Sequence, residues 1–265
     1  MTLLFSTLLL RPYVFIFFGI FIWAAVRFMG LRKTLLFTGI SWAVAFIAEF
    51  SSTRNGIPFG YYVYIDSTRG QELWISNVPF FDSLSFTFLA YASYIMALGF
   101  TLPTEKKGRI AAFLDHSQTR SSKPVLLLST LFFAFIDIVI DPLAVRGDRW
   151  FLGRIFYYPD PGLYFGVPLS NFIGWAVVGF ISISCFQLWE RIFKKQGQEN
   201  SECDVTTHIL VGILLYYLVL VFNFVMTFVI GETLLGMVGL FIFLPITTIL
   251  LVKIFSPLNV LSRRQ

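Results

Sequence analysis

The sequence predicts an all-α, polytopic membrane helix bundle of about seven transmembrane helices, and three observations predict it. First, 57% of the 265 residues are hydrophobic, only 13% are charged, and the mean hydropathy is +0.76. An ordinary soluble domain is about 25% charged, so this chain cannot cover a water-facing surface and must be solvated by lipid. Second, seven apolar stretches reach the length of a span. Third, lysines and arginines alternate in density between successive links.

A span needs about 20 apolar residues, and residues 12–29, 34–51, 80–101, 124–141, 167–188, 208–230 and 232–252 qualify. The last two are separated only by Gly231 and Glu232, which implies a tight hairpin or a broken helix. The polar links are too short for a soluble domain, so residues 1–265 read as one integral membrane domain. The opening residues lack a basic segment and a small-residue cleavage site, and they read as the approach to a retained first helix. The 32 phenylalanines read mainly as packing between helices.

Arg27, Arg32, Lys33, Lys106, Lys107, Arg109, Arg120, Lys123, Arg191, Lys194, Lys195, Lys253, Arg263 and Arg264 fall in one set of links. Arg11, Arg54, Arg69, Arg146, Arg149 and Arg154 fall in the other. The positive-inside rule then places the N-terminus outside and the C-terminus inside a cell membrane, as an odd number of spans requires. The net charge of +5 reflects this topology, and no basic stripe interleaved with aromatics points to nucleic acid. A short internal echo relates Val78-Pro79-Phe80-Phe81-Asp82 to Val167-Pro168-Leu169-Ser170-Asn171. An aromatic residue, Phe86 or Trp175, stands four positions after each polar member. Repeats of this kind often place a site at their interface.

Ionisable groups are costly inside a bilayer and usually face a cavity or a partner. Glu49, Asp82, Asp137 and Asp141 all fall near the outer ends of their spans, with the amides Asn171 and Asn223. Asp137 and Asp141 are spaced i, i+4, which puts them one turn apart on one helix face. Pro142 follows and biases the helix to end at Asp141. A helix C-terminus, a second carboxyl group and low polarity all favour the neutral acid, and an embedded neutral carboxyl is a suitable general acid. Against this, Asp141 has Arg146 and Arg149 within reach for pairing, and Asp82 and Asn171 stand where short polar side chains cap helix starts. Asn223 is placed to join two helices. The turn-rich segments 55–64 and 164–168 are placed to fold over the helix ends.

Other chemistries lack their residues. With only His116 and His208, the histidine sets of di-iron enzymes and haem proteins are missing, as is a phosphate-binding glycine loop. Cys185 and Cys203 suggest neither a disulfide framework nor a metal site. No metal or other cofactor is expected.

The same segments carry a resemblance. Glu49 with Asn55-Gly56-Ile57-Pro58-Phe59-Gly60-Tyr61-Tyr62-Val63-Tyr64, Asn77-Val78-Pro79, Asp137-Ile138-Val139-Ile140-Asp141-Pro142 and Tyr164 through Trp175 resemble the membrane carotenoid 1,2-hydratase family, which includes the bisanhydrobacterioruberin hydratases. The resemblance covers roughly residues 45–180, and the loop 153–162 is longer than the family leads one to expect. It assigns no catalytic residue. It implies addition of water to the terminal 1,2 double bond of an acyclic carotenoid, or a similar lipophilic isoprenoid, within membrane lipid. That reaction needs a neutral acid, a group to orient water and an aromatic wall for a tertiary cation. Asp137 or Asp141 is the expected proton donor, Glu49 and Asn171 the water-positioning groups, Asp82 a further substrate-binding group, and Tyr61, Tyr164 and Trp175 the cation pocket. Two alternatives are an intramembrane prenyltransferase using the DxxxD spacing with Mg²⁺, and a carotenoid or lipid transporter with the acids as proton relays.

Overall fold

A computed structural model describes residues 2–115, 118–193 and 203–255. His116, Lys194, Lys195, Arg263 and Arg264 lie outside the described residues. Among the described residues, seven helices are long and apolar enough to cross a membrane: α2 (Pro12–Met29), α3 (Leu31–Asn55), α4 (Phe80–Thr101), α5 (Lys123–Ala144), α6 (Leu169–Ile192), α7 (Thr206–Val229) and α8 (Thr233–Phe255). A short helix, α1 (Thr2–Leu10), precedes them, so the N-terminal approach is itself helical and breaks at Arg11. Pro12 at the first turn of α2 explains the restart, because its missing N–H has no partner to lose there. Gly30 (φ +83°) separates α2 from α3, and Gly56 (φ +81°) terminates α3 in a left-handed cap whose N–H donates to the Ser52 carbonyl.

Helix α4 is the hub. Over an 18-residue stretch of it 78% of residues are buried, against 28–50% over the like stretches of the other spans, and it packs on α2, α3, α5 and α7. Large apolar side chains point outward instead, among them Ile47, Leu127, Ile173, Val229 and Phe241, as lipid-facing surfaces require. Close approach between α4 and α7 depends on Gly212: a Cβ there would stand 2.5 Å from Ile95 Cγ2. The last two spans form the tight hairpin through Ile230, Gly231 and Glu232.

The expected end of α5 at Asp141 is corrected: the helix runs through Pro142 to Ala144, and Val145 N–H donates to the Asp141 carbonyl. Burial of Val139, Pro142, Leu143 and Ala144 outweighs the one backbone bond that proline removes, a trade that spans make when neighbouring helices re-satisfy the backbone.

Short strands tie the links together. At the site end, β1 (Val63–Tyr64) pairs antiparallel with β6 (Phe156–Tyr157), joining the α3–α4 link to the α5–α6 link. Within the first link β2 (Trp74–Ile75) pairs with β3 (Val78–Pro79). At the other end β4 (Thr104–Lys107) and β5 (Ile110–Asp115) form a hairpin that β7 (Cys203–Asp204) extends.

A Gly212→Leu variant should lose about 1–3 kcal/mol of stability through overpacking. Thermal unfolding in detergent reads this as a lowered midpoint, and an unchanged midpoint would refute the close α4–α7 approach.

Candidate active site

The chain ascends and descends so that α2, α4 and α6 begin where α3, α5 and α7 end, and the polar residues gather at that end. They line a cavity walled by Tyr13 and Phe17 of α2, Glu49 of α3, Asp82, Phe86 and Leu89 of α4, Asp141 of α5, Asn171 and Trp175 of α6, and Val219, Phe222 and Asn223 of α7. Phe59, Tyr62, Tyr64, Trp150, Phe156 and Tyr158 roof it from the loops. The cavity offers about 120 Å³ to the centre of a water-sized molecule. One water needs roughly 10–15 Å³ on this measure, so several waters or a small branched alkyl group fit.

Asn171 organises one side. Its Nδ2 donates to Asp137 Oδ2 at 2.6 Å and to Asp141 Oδ2 at 2.7 Å, joining two carboxyls presented one turn apart on α5. Asp137 is fully buried and its Oδ1 has no partner, whereas Asp141 lies on the cavity wall. The alternative pairing of Asp141 with Arg146 or Arg149 does not form: Arg146 Nε lies 3.1 Å from Glu232 Oε1, and Arg149 also binds Glu232. Glu49, 3% exposed, organises the other side. It accepts from the Tyr64 hydroxyl at 2.9 Å and from the Ser83 hydroxyl.

Neither Asp82 nor Asn171 caps its helix. Each is the third residue of its helix, and Phe86 and Trp175 are the seventh. The echo is therefore structural: Phe86 and Trp175 stack on each other, centroids 4.5 Å apart and planes at 21°. Asn223 bonds the Val219 carbonyl of its own helix rather than a neighbouring helix, and its side chain lines the cavity.

Two expected wall residues stand elsewhere. Tyr61 is 51% exposed and off the cavity wall, because side chains alternate in the extended run 61–64 and Tyr62 and Tyr64 take the inward places. Tyr164 is also off the wall and packs edge-on against Phe165 and Phe172. Its phenol is pushed up to about 12 by burial and then by Asp137. Tyr62, Tyr64 and Tyr158 were legible only as parts of aromatic runs. Burial raises each phenol well above its ordinary range, helped next by Glu49 for Tyr62, Asp82 for Tyr64 and Asp141 for Tyr158. All three remain neutral hydroxyl donors at the pH of a cell.

Arg11, counted among the residues of the links, is 1% exposed. Its Nε and Nη2 donate to Glu72 at 2.7 and 2.8 Å, and its Nη1 reaches Asp82 Oδ1 at 3.3 Å. Burial disfavours the guanidinium charge, but Asp82, Tyr13 and Glu72 together outweigh it and hold Arg11 above its usual range. A single arginine between two apolar stretches was the available signal, and Glu72 gave none.

Seven apolar helices around a carboxyl-lined internal cavity define a multi-pass membrane protein with a polar site at one end of the bundle. A family model described as carotenoid biosynthesis protein matches residues 5–243, and the chain belongs to that family, with a role in carotenoid biosynthesis. The bisanhydrobacterioruberin hydratase of Haloarcula japonica is 27% identical over 183 residues, covering 66% of this chain and 54% of the relative. The chain thus spans about half the length of the curated relative it matches. No solved structure matches.

Replacing Asn171 with leucine leaves two carboxyl oxygens without their donor and should cost about 1–3 kcal/mol. A thermal midpoint equal to wild type, measured in detergent, would contradict the bridge.

Proposed function

We propose that the protein adds water to the terminal 1,2 double bond of an acyclic carotenoid end group by acid catalysis. The observation that carries this reading is the Asp137–Asn171–Asp141 bridge, which presents one carboxyl to a cavity whose lining is otherwise largely aromatic and apolar. The similarity to the bisanhydrobacterioruberin hydratase of Haloarcula japonica supports it.

The end group is a trisubstituted alkene. Asp141 donates its proton to the less substituted carbon, the π pair forms the new C–H bond, and a tertiary cation remains on the neighbouring carbon. The stacked Trp175 and Phe86 rings lie on the cavity wall, where a π face stabilises a desolvated cation by up to about 2 kcal/mol. Water attacks the cation through oxygen and then loses a proton, which gives a tertiary alcohol. Both N–H bonds of Asn171 are spent on carboxyls, so its carbonyl oxygen is left to accept from that water, with Glu49 beside it on the wall. Asp137, buried behind Asp141 and joined to it through the amide, returns the proton between turnovers. The carbons next to the end group lie along Phe17, Leu89, Val219 and Phe222, the apolar part of the cavity lining.

Expression in a bacterium that makes acyclic carotenoids, followed by pigment mass analysis, tests the proposal. Wild type should add the mass of one water to the pigment, with activity retained in EDTA. Asp141→Asn should lose about 10²–10⁴-fold of the rate, the range a general acid contributes. Trp175→Leu should lose about tenfold if the ring supports a cation. Unchanged pigment across several acyclic substrates would overturn the assignment, and strict dependence on Mg²⁺ would favour prenyl transfer.

A further inference from the structure

The Arg11 cluster is built with more care than a structural ion pair at a chain end requires. The guanidinium fork is fully engaged by one carboxylate, Glu72, which is itself 2% exposed. That engagement fixes the direction of the remaining Nη1, which points to Asp82. The loop bearing Glu72 is fastened in turn to α1, where the Ser6 hydroxyl donates to the carbonyl of Gln71. A whole helix and a loop therefore converge on orienting one donor toward one cavity carboxyl.

Asp82 differs from the other acids of the site. Asp137 and Asp141 share one amide, and both oxygens of Glu49 accept from buried hydroxyls. Asp82 lines the cavity, keeps 20% of its side chain exposed, and faces a fixed positive charge. Hydration needs a group that gives a proton and a group that takes one from the oxonium formed when water attacks, and a second carboxyl takes it when water attacks the face away from the donor. A charge-paired carboxyl is suited to the second task, because an adjacent cation favours its ionised form.

We infer that Asp82 is the carboxylate that accepts the proton released by the attacking water, and that Arg11 is the positioning residue that keeps Asp82 charged and aimed at the cavity. The inference rests on the hydration reading. In one turnover Asp141 loses the proton that enters the new C–H bond and Asp82 gains the proton leaving oxygen. Alkene plus water becomes alcohol, and the proton then passes from Asp82 back to the Asp137–Asp141 pair through cavity water.

The test uses the full-length purified protein in detergent with an acyclic carotenoid, comparing wild type, Arg11→Gln, Arg11→Lys, Asp82→Asn and the Arg11→Gln/Asp82→Asn double variant. Arg11→Gln and Asp82→Asn should each lower kcat by about 100-fold or more with KM within about threefold. The double variant should fall no further than the worse single variant, because Arg11 acts through Asp82. Arg11→Lys, which keeps the charge, should recover part of kcat. Losses that multiply in the double variant, or single variants with wild-type kcat, would overturn the inference while leaving hydration standing. Infrared difference spectra supply a readout that needs no turnover. Wild type minus Asp82→Asn should show an ionised carboxylate band, replaced by a protonated carboxyl band when Arg11 is glutamine. A protonated band in wild type would overturn the inference even if wild type adds no water, an outcome that would separately end the hydration reading. If Arg11→Gln does not fold, the wild-type band and the kcat of Arg11→Lys and Asp82→Asn still decide.

Discussion

Carboxyl groups set among apolar helices must find donors within the protein, because lipid supplies none. That constraint shapes the end of the bundle where Glu49, Asp82, Asp137 and Asp141 gather. Asn171 serves two of them with one amide, Tyr64 and Ser83 serve Glu49, and Arg11 serves Asp82. The chain breaks between α1 and α2 to deliver Arg11, and the aromatic loops cover the cluster while bringing the Tyr64 hydroxyl to it. A fold whose only purpose was to cross a membrane would have no use for this polar group of residues. Its cost is the strongest physical argument that the end of the bundle is a site.

The site lies between two similar helix–link–helix segments, α3–α4 and α5–α6. In each, a helix carrying an acid within its last two turns is followed by a link and then by a helix whose third residue is polar and whose seventh is aromatic. The two links pair through β1 and β6, and the two aromatic rings stack across the interface. The two segments differ in the partners of their polar residues. Asp82 faces a guanidinium, whereas Asn171 bridges two carboxyls. Two similar helix starts thus present unlike polar groups to one small cavity.

Much of this could be read from the residues. The spans are strong signals because twenty apolar residues in a row leave few alternatives, and Phe80–Thr101 falls at its expected bounds. Glu49, Asp82, Asp141, Asn171 and Trp175 stand out as polar or amphipathic groups at helix ends, and the structure brings them to one cavity. Local rules failed where tertiary contacts outweighed them. Pro142 did not end α5 because its neighbours are buried. Tyr61 and Tyr62 cannot be told apart until the strand direction is known, since one residue of register swaps inside for outside. The partnership of Arg11 with Glu72 joins positions 61 apart in the chain, and neither residue carries a local mark of it.

The central claim is that this carboxyl cluster adds water to a carotenoid alkene, and the origin of the new atoms tests it most directly. Purified protein given an acyclic carotenoid in heavy-oxygen water, and separately in deuterium oxide, should yield a tertiary alcohol carrying one solvent oxygen and one solvent-derived hydrogen on the adjacent carbon. Product oxygen drawn from dioxygen, or a substrate that binds and is recovered without solvent atoms, would contradict it.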